Sequence, residues 1–317
     1  MDNLKDRLHP EAVTHLELGL KLGAKPYYEY ENIDIARKTR DDNNRLFIED
    51  VKNFTGQSLE IRIPSKDVPE GIPATVHKSS DSAAVPCILI YFHGGGLVVG
   101  RRQDMDPFCK SIVQKSKCII VNSSYRLSPE VKYPAHLDDA EAVVRWVLDN
   151  KVRLGGKPES KVGVGGDSAG GLLASCMAHD IPGLDFQVLV YPRVTYRLDL
   201  PSRIEFENGP ILTLKTIKWF ENQTYTSESD RTDPRGRPLH RAKFNDLPPA
   251  LIVLAEIDPL RDDGYAYKEK LDENGVKCEL LEIKGVPHAF FGLNGIYKEA
   301  TTTAYGRIVT FIEQFQK

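Results

Sequence analysis

The chain has 317 residues, 41% hydrophobic and 27% charged, with a formal net charge of −3. That is ample apolar material for one large core, and without a long run of Lys or Arg it excludes nucleic acid and anionic membranes as expected partners. Cys87, Cys109, Cys118, Cys176 and Cys278 fall at no zinc or redox spacing, and no apolar run has signal-peptide or membrane-span length, so a cytoplasmic protein is expected, with no metal and no cofactor.

Residues 1–45 are polar, with amphipathic stretches at Glu11–Leu22 and Ile33–Thr39, and are expected to form a helical cap segment. Residues 46–317 are expected to form the main domain. Val51–Ile63 alternates around Thr55-Gly56 and predicts a hairpin. Short apolar runs then predict strands buried on both faces: Cys87–Phe92, Cys118–Val121, Val162–Gly165, Phe186–Tyr191, Ala250–Leu254 and Cys278–Ile283. Helical patterns lie between them at Pro107–Lys115, Leu137–Asn150, Ala169–His179 and Asp263–Asn274, with Thr301–Gln316 closing the chain. This alternation predicts an α/β fold with a mainly parallel central sheet flanked by helices on both faces. The alternation stops at about residues 195–249, an insertion after the sixth strand of the length expected for a second cap piece.

Gly166-Asp167-Ser168-Ala169-Gly170 lies between a strand and a helix. A serine on so sharp a turn presents its hydroxyl clear of the sheet, provided its neighbours two positions away are small. Ser168 is therefore the candidate nucleophile. His93-Gly94-Gly95-Gly96 follows another strand, and N–H groups of Gly94, Gly95 and Gly96, with that of Ala169, are candidates to bind an oxyanion. His93 reads as an anchor of this loop.

Only His179, His240 and His288 follow Ser168 in the chain. His179 is too far down the helix and His240 reads as a surface residue of the cap. His288, just beyond a strand, is the candidate base. Asp258 ends the strand Ala250–Ile257 and is the candidate acid. Glu256 is a weaker rival, while Asp262 and Asp263 read as first-turn charges of the next helix.

With these residues in hand, the chain resembles the hormone-sensitive-lipase family of carboxylesterases, which includes arylacetamide deacetylases and plant carboxylesterases. The blocks that match are His93–Gly96, Tyr125-Arg-Leu-Ser-Pro-Glu130 with Tyr133-Pro-Ala135, Gly166–Gly170, and Asp258-Pro-Leu-Arg-Asp262 with His288-Ala-Phe290. The resemblance implies the α/β-hydrolase fold, a Ser168–His288–Asp258 triad and hydrolysis of small-molecule esters. It implies that Arg126 and Glu130 form a buried polar tie. It also implies an edge-to-edge homodimer through Cys278–Gln316. Leu97 and Ser128 depart from the family's usual aromatic residue and alanine. Two other functions share this frame. A non-catalytic small-ligand receptor would lack the histidine, which is present here, and an amidase for N-acyl arylamines would differ only in its leaving group.

Overall fold

The computed structural model describes residues 4 and 6–317; positions 1–3 and 5 of the expected cap segment lie outside the described residues. Among these, eight strands form one sheet in the order β1-β2-β4-β3-β5-β6-β7-β8. They are β1 Gln57–Ile63, β2 Ile72–Lys78, β3 Ile88–Phe92, β4 Ile119–Ser123, β5 Val162–Asp167, β6 Phe186–Val190, β7 Ala250–Ile257 and β8 Cys278–Pro287. From β4 to β8 every pairing is parallel, while β1–β2 and β2–β4 run antiparallel.

The alternation of side chains sorts each strand into two cores. Ile88, Ile90 and Phe92 of β3 join Val162 and Val164 of β5 on one face. Leu89 and Tyr91 join Val188 and Val190 of β6 on the other. The first face is covered by α4 (Ala135–Asp149), α5 (Ala169–Asp180) and α9 (Arg261–Glu273). The second is covered by α3 (Asp106–Ser116) and α10 (Lys298–Glu313). In α4 the buried positions Leu137, Ala140, Val144 and Val147 recur at steps of three and four, so one stripe meets the sheet. Each such Leu or Val contributes roughly 1.5–3 kcal/mol by leaving water.

The expected α/β fold is therefore present, with one local correction. Val51–Phe54 is a turn and not a strand, since the Phe54 N–H donates to the Val51 carbonyl. β1 pairs instead with β2, a strand the sequence reading missed. β2 carries Pro73, which argues against a strand interior. The ring is accommodated because Pro73 sits second in the strand, where its carbonyl still accepts from Ser124 N–H.

Before the sheet, the described residues include α1 (Pro10–Lys21) and α2 (Ile33–Arg45), the latter capped by the Asn32 side chain. The interval after β6 holds α6 (Pro201–Glu205), α7 (Leu214–Thr224) and α8 (Glu228–Thr232). Tyr27 and Ile33 pack with Ile217, Trp219 and Phe220 of α7 in a third, smaller apolar cluster, so the N-terminal segment and the insertion share one roof.

Candidate active site

Strand register brings the candidate residues together. In the parallel pair β7–β8, Ile257 lies opposite Pro287, so Asp258 and His288 leave the sheet side by side. In β3–β5, Phe92 lies opposite Gly166, so His93–Gly96 emerges beside Ser168. All these groups stand at the carboxyl ends of parallel strands, where such sheets open a crevice.

His288 Nδ1–H donates to Asp258 Oδ2 at 2.7 Å, which leaves Nε2 to accept from the Ser168 hydroxyl at 2.9 Å. Asp258 is fully buried, and its Oδ1 accepts from Leu260 N–H at 2.8 Å. Ser168 sits at φ 55°, ψ −114°, a conformation costly for a residue with a side chain. It is held there by its own N–H donating to the Val190 carbonyl at 2.9 Å and by the start of α5. The two motif glycines allow the turn. A Cβ on Gly170 would lie 2.0 Å from the Phe92 carbonyl oxygen, and one on Gly166 would lie 2.4 Å from the Gly170 carbonyl.

The glycine loop resolves into distinct roles. Gly94 N–H donates to Asp167 Oδ1 at 3.0 Å, so this member of the expected oxyanion set is already engaged. The N–H groups of Gly95, Gly96 and Ala169 have no acceptor among the described residues. Gly95 and Gly96 take φ 121° and 63°, conformations open to glycine without strain. His93 anchors the loop as expected, its Nδ1–H donating to the Gly94 carbonyl at 2.7 Å and its ring stacked 4.5 Å from Tyr125. Burial pushes its imidazole down to about 4, so it is neutral.

The rivals are occupied elsewhere. His179 packs edge-on to Phe244, its imidazole pushed by burial down to about 4. His240 is half-buried and not a simple surface residue; its Nε2 lies 2.7 Å from Thr195 Oγ1. Glu256 accepts from Gly285 N–H at 2.8 Å and so fixes the bend of β8 before His288. Asp262 accepts from Ser202 N–H, and Asp263 is buried against Arg203. The expected tie between Arg126 and Glu130 is not formed. Arg126 pairs with buried Asp139, whereas Glu130 is largely exposed and pairs with Arg37 of α2, so each residue is tied to a different element.

A cavity opens over Ser168, lined by Leu97, Leu172, Leu212, Ile217 and Phe220 among others. Tyr27 also reaches this cavity, while Phe291 lies in the core. Three contributors were missed by sequence reading. Tyr191, just past β6, places its ring 4.5 Å from the His288 ring and backs the imidazole. Asp167 stood in the motif only as a variable position. Arg193 lay just ahead of an interval read simply as cap. Among the described residues no helix is long and apolar enough to cross a membrane.

Residues 89–292 match the family described as alpha/beta hydrolase fold. The chain is 35% identical to an ethyl acetate hydrolase of Pseudomonas putida, over 69% of this chain and 71% of that protein. It is 38% identical to the esterase LipI of Mycobacterium tuberculosis, over 70% of each. An esterase structure from Pyrobaculum calidifontis superposes at a TM-score of 0.83 with 31% identity, covering 97% of this chain and 98% of that one. The chain belongs to the α/β-hydrolase fold family.

Proposed function

We propose that the protein is a serine carboxylesterase that hydrolyses short- to medium-chain acyl esters. The observation that carries this reading is the continuous hydrogen-bonded path from Ser168 Oγ through His288 to buried Asp258, at the floor of a cavity with unengaged N–H groups. The relatives named as esterases support it.

In the proposed reaction Ser168 Oγ attacks the ester carbonyl carbon while its proton passes to His288 Nε2. The carbonyl oxygen takes the negative charge and accepts from Gly95, Gly96 and Ala169 N–H, the oxyanion hole of this reading. Collapse breaks the bond to the alcohol oxygen, which takes the proton from Nε2. Water then attacks the acyl-enzyme, giving its proton to Nε2. The second collapse breaks the bond to Oγ, which recovers that proton. Asp258 holds the imidazole in the tautomer that leaves Nε2 free, and stabilises the imidazolium.

In this reading residues 46–317 form the catalytic body, capped by residues 1–45 and by the insertion at about 195–249. A cytoplasmic site suits the five unpaired thiols, and the position of β8 at the edge of the sheet suits a homodimer. The partner chemistry is a small ester and not a nucleic acid. The test is hydrolysis of p-nitrophenyl butyrate by wild type and Ser168→Ala, with a fluorophosphonate label mapped by mass spectrometry. Wild type should turn over and label at Ser168, with the variant inert in both assays. Equal rates, or a label elsewhere, overturn the reading.

A further inference from the structure

The cavity wall carries arginines on two sides, and their charges are balanced differently. On the α2 side, Arg40 and Arg101 line the cavity and are matched by Asp41 and Asp104 in a closed ring of ion pairs: Arg40 contacts both carboxylates, and so does Arg101. Two cations meet two anions there.

The other side is unmatched. Arg193 lines the same cavity as Ser168, and its backbone N–H reaches back to the Ser168 carbonyl at 3.4 Å. Its Nη2 donates to Glu221 of α7. The same carboxylate also faces Arg231 at 3.4 Å and Arg237 at 3.6 Å. Three guanidiniums thus share one buried carboxylate. The remaining nearby acids are spent. Asp263 is paired with Arg203, and Glu228, which reaches Arg231 at 3.6 Å, is largely exposed to water. Among the described residues, Arg193 Nε and Arg237 Nη2 are buried with no hydrogen-bond acceptor. Arg237, itself fully buried, lies 4.7 Å over the ring of Tyr225, another residue of the cavity wall.

Burying a guanidinium without a full set of acceptors is costly. A surplus of such groups beside a substrate cavity is repaid when an anion enters. We propose that the Arg193 wall receives an anionic group carried by the substrate, so that the preferred esters bear a carboxylate within a few carbons of the scissile carbonyl. This rests on the esterase reading. The carboxylate has two sources, the acyl chain, as in a half-ester of a dicarboxylic acid, or the alcohol, as in an acylated hydroxy acid.

The experiment compares kcat/KM for matched pairs by titrating released acid near neutral pH. The acyl pair is monoethyl glutarate against ethyl pentanoate. The alcohol pair is 4-acetoxybutanoate against butyl acetate. Wild type, Arg193→Gln and Arg193→Lys are assayed, and the charged-to-neutral ratio is the readout, so a general loss of activity does not enter it. Removal of the guanidinium should lower this ratio at least about tenfold in one pair, and that pair identifies the source; lysine should hold it within a few-fold. A ratio that Arg193→Gln leaves unchanged in both pairs overturns the proposal while ester hydrolysis stands. Should that variant not fold, wild type decides by KM. A charged ester with a KM at or below that of its neutral partner supports the proposal, and higher values in both pairs overturn it. Failure of wild type to cleave any of the four esters removes the esterase reading itself.

Discussion

A carboxyl group stands one residue before Ser168, in a place where negative charge is unwelcome. Asp167 accepts from Gly94 N–H at 3.0 Å and from the Tyr91 hydroxyl at 3.1 Å, and so ties the glycine loop to the serine turn. No arginine or lysine pairs with it among the described residues, and burial pushes its carboxyl from the ordinary 3.8 up to about 6. The sign of the consequence follows from linkage. A carboxyl raised in the folded state binds its proton more tightly there than in the unfolded chain. Its contribution to stability is full below the unfolded value and is lost as pH rises through about 6. Asp167→Asn keeps an acceptor for the loop but has no proton to lose. Relative to that variant, wild type should lose about 1–2 kcal/mol of unfolding free energy between about pH 5 and about pH 8, read by urea denaturation. A difference that does not change with pH would show that the carboxyl is not raised.

At the scale of elements, α2 is fastened to the segment after the glycine loop by the ion pairs of Arg40 and Asp41 and, separately, by Arg37. Arg37 Nε donates to the Val98 carbonyl at 2.8 Å and Nη2 to the Ser128 carbonyl at 2.7 Å, while both terminal nitrogens meet Glu130. The carbonyls are part of the buried frame under the loop, whereas Glu130 is mostly in water. The two halves of this contact should therefore differ in value. Glu130→Gln should cost less than about 1 kcal/mol, as exposed pairs do. Arg37→Met strands two carbonyls and should cost about 2–3 kcal/mol, with a lower melting temperature to match. Equal losses for the two variants would place the energy in the ion pair instead. Such long-range contacts are what the sequence does not disclose. Strands β3 to β8 were legible because each is a short apolar run bounded by turn residues, and Ser168, Asp258 and His288 were legible because each follows such a run directly. β2 was hidden by Pro73, and the partners of Arg126 and Glu130 were hidden because Asp139 and Arg37 are chosen by packing between elements. Likewise, nothing near Arg193 in the chain reveals that Arg231 and Arg237 converge on the same Glu221.

For the molecule as a whole, the two cores are not independent, because every parallel strand sends alternate side chains into both. Opening one face exposes one side of the strands that carry the other, so the faces should unfold together although the chain is long enough to fold in parts. The thiols report on this directly. Cys87, Cys109 and Cys118 lie in one core and Cys176 in the other, all buried, and none belongs to residues 1–45 or to the insertion. Burial holds the Cys109 thiol well above its ordinary range and pushes that of Cys176 up to about 12, so neither reacts while native. Cys278, on the sheet edge, is partly exposed but is likewise pushed by burial up to about 12, so it too should react slowly. Iodoacetamide labelling in rising urea, read by peptide mass spectrometry, should thus give the same midpoint at Cys109 and Cys176. Loss of the proposed cap, residues 1–45 with the insertion, which carries no cysteine, should leave both silent even where Trp219 fluorescence has already changed. Separate midpoints would mean that the helices of one face detach from a sheet that persists, and the shared strands would then not couple the two cores.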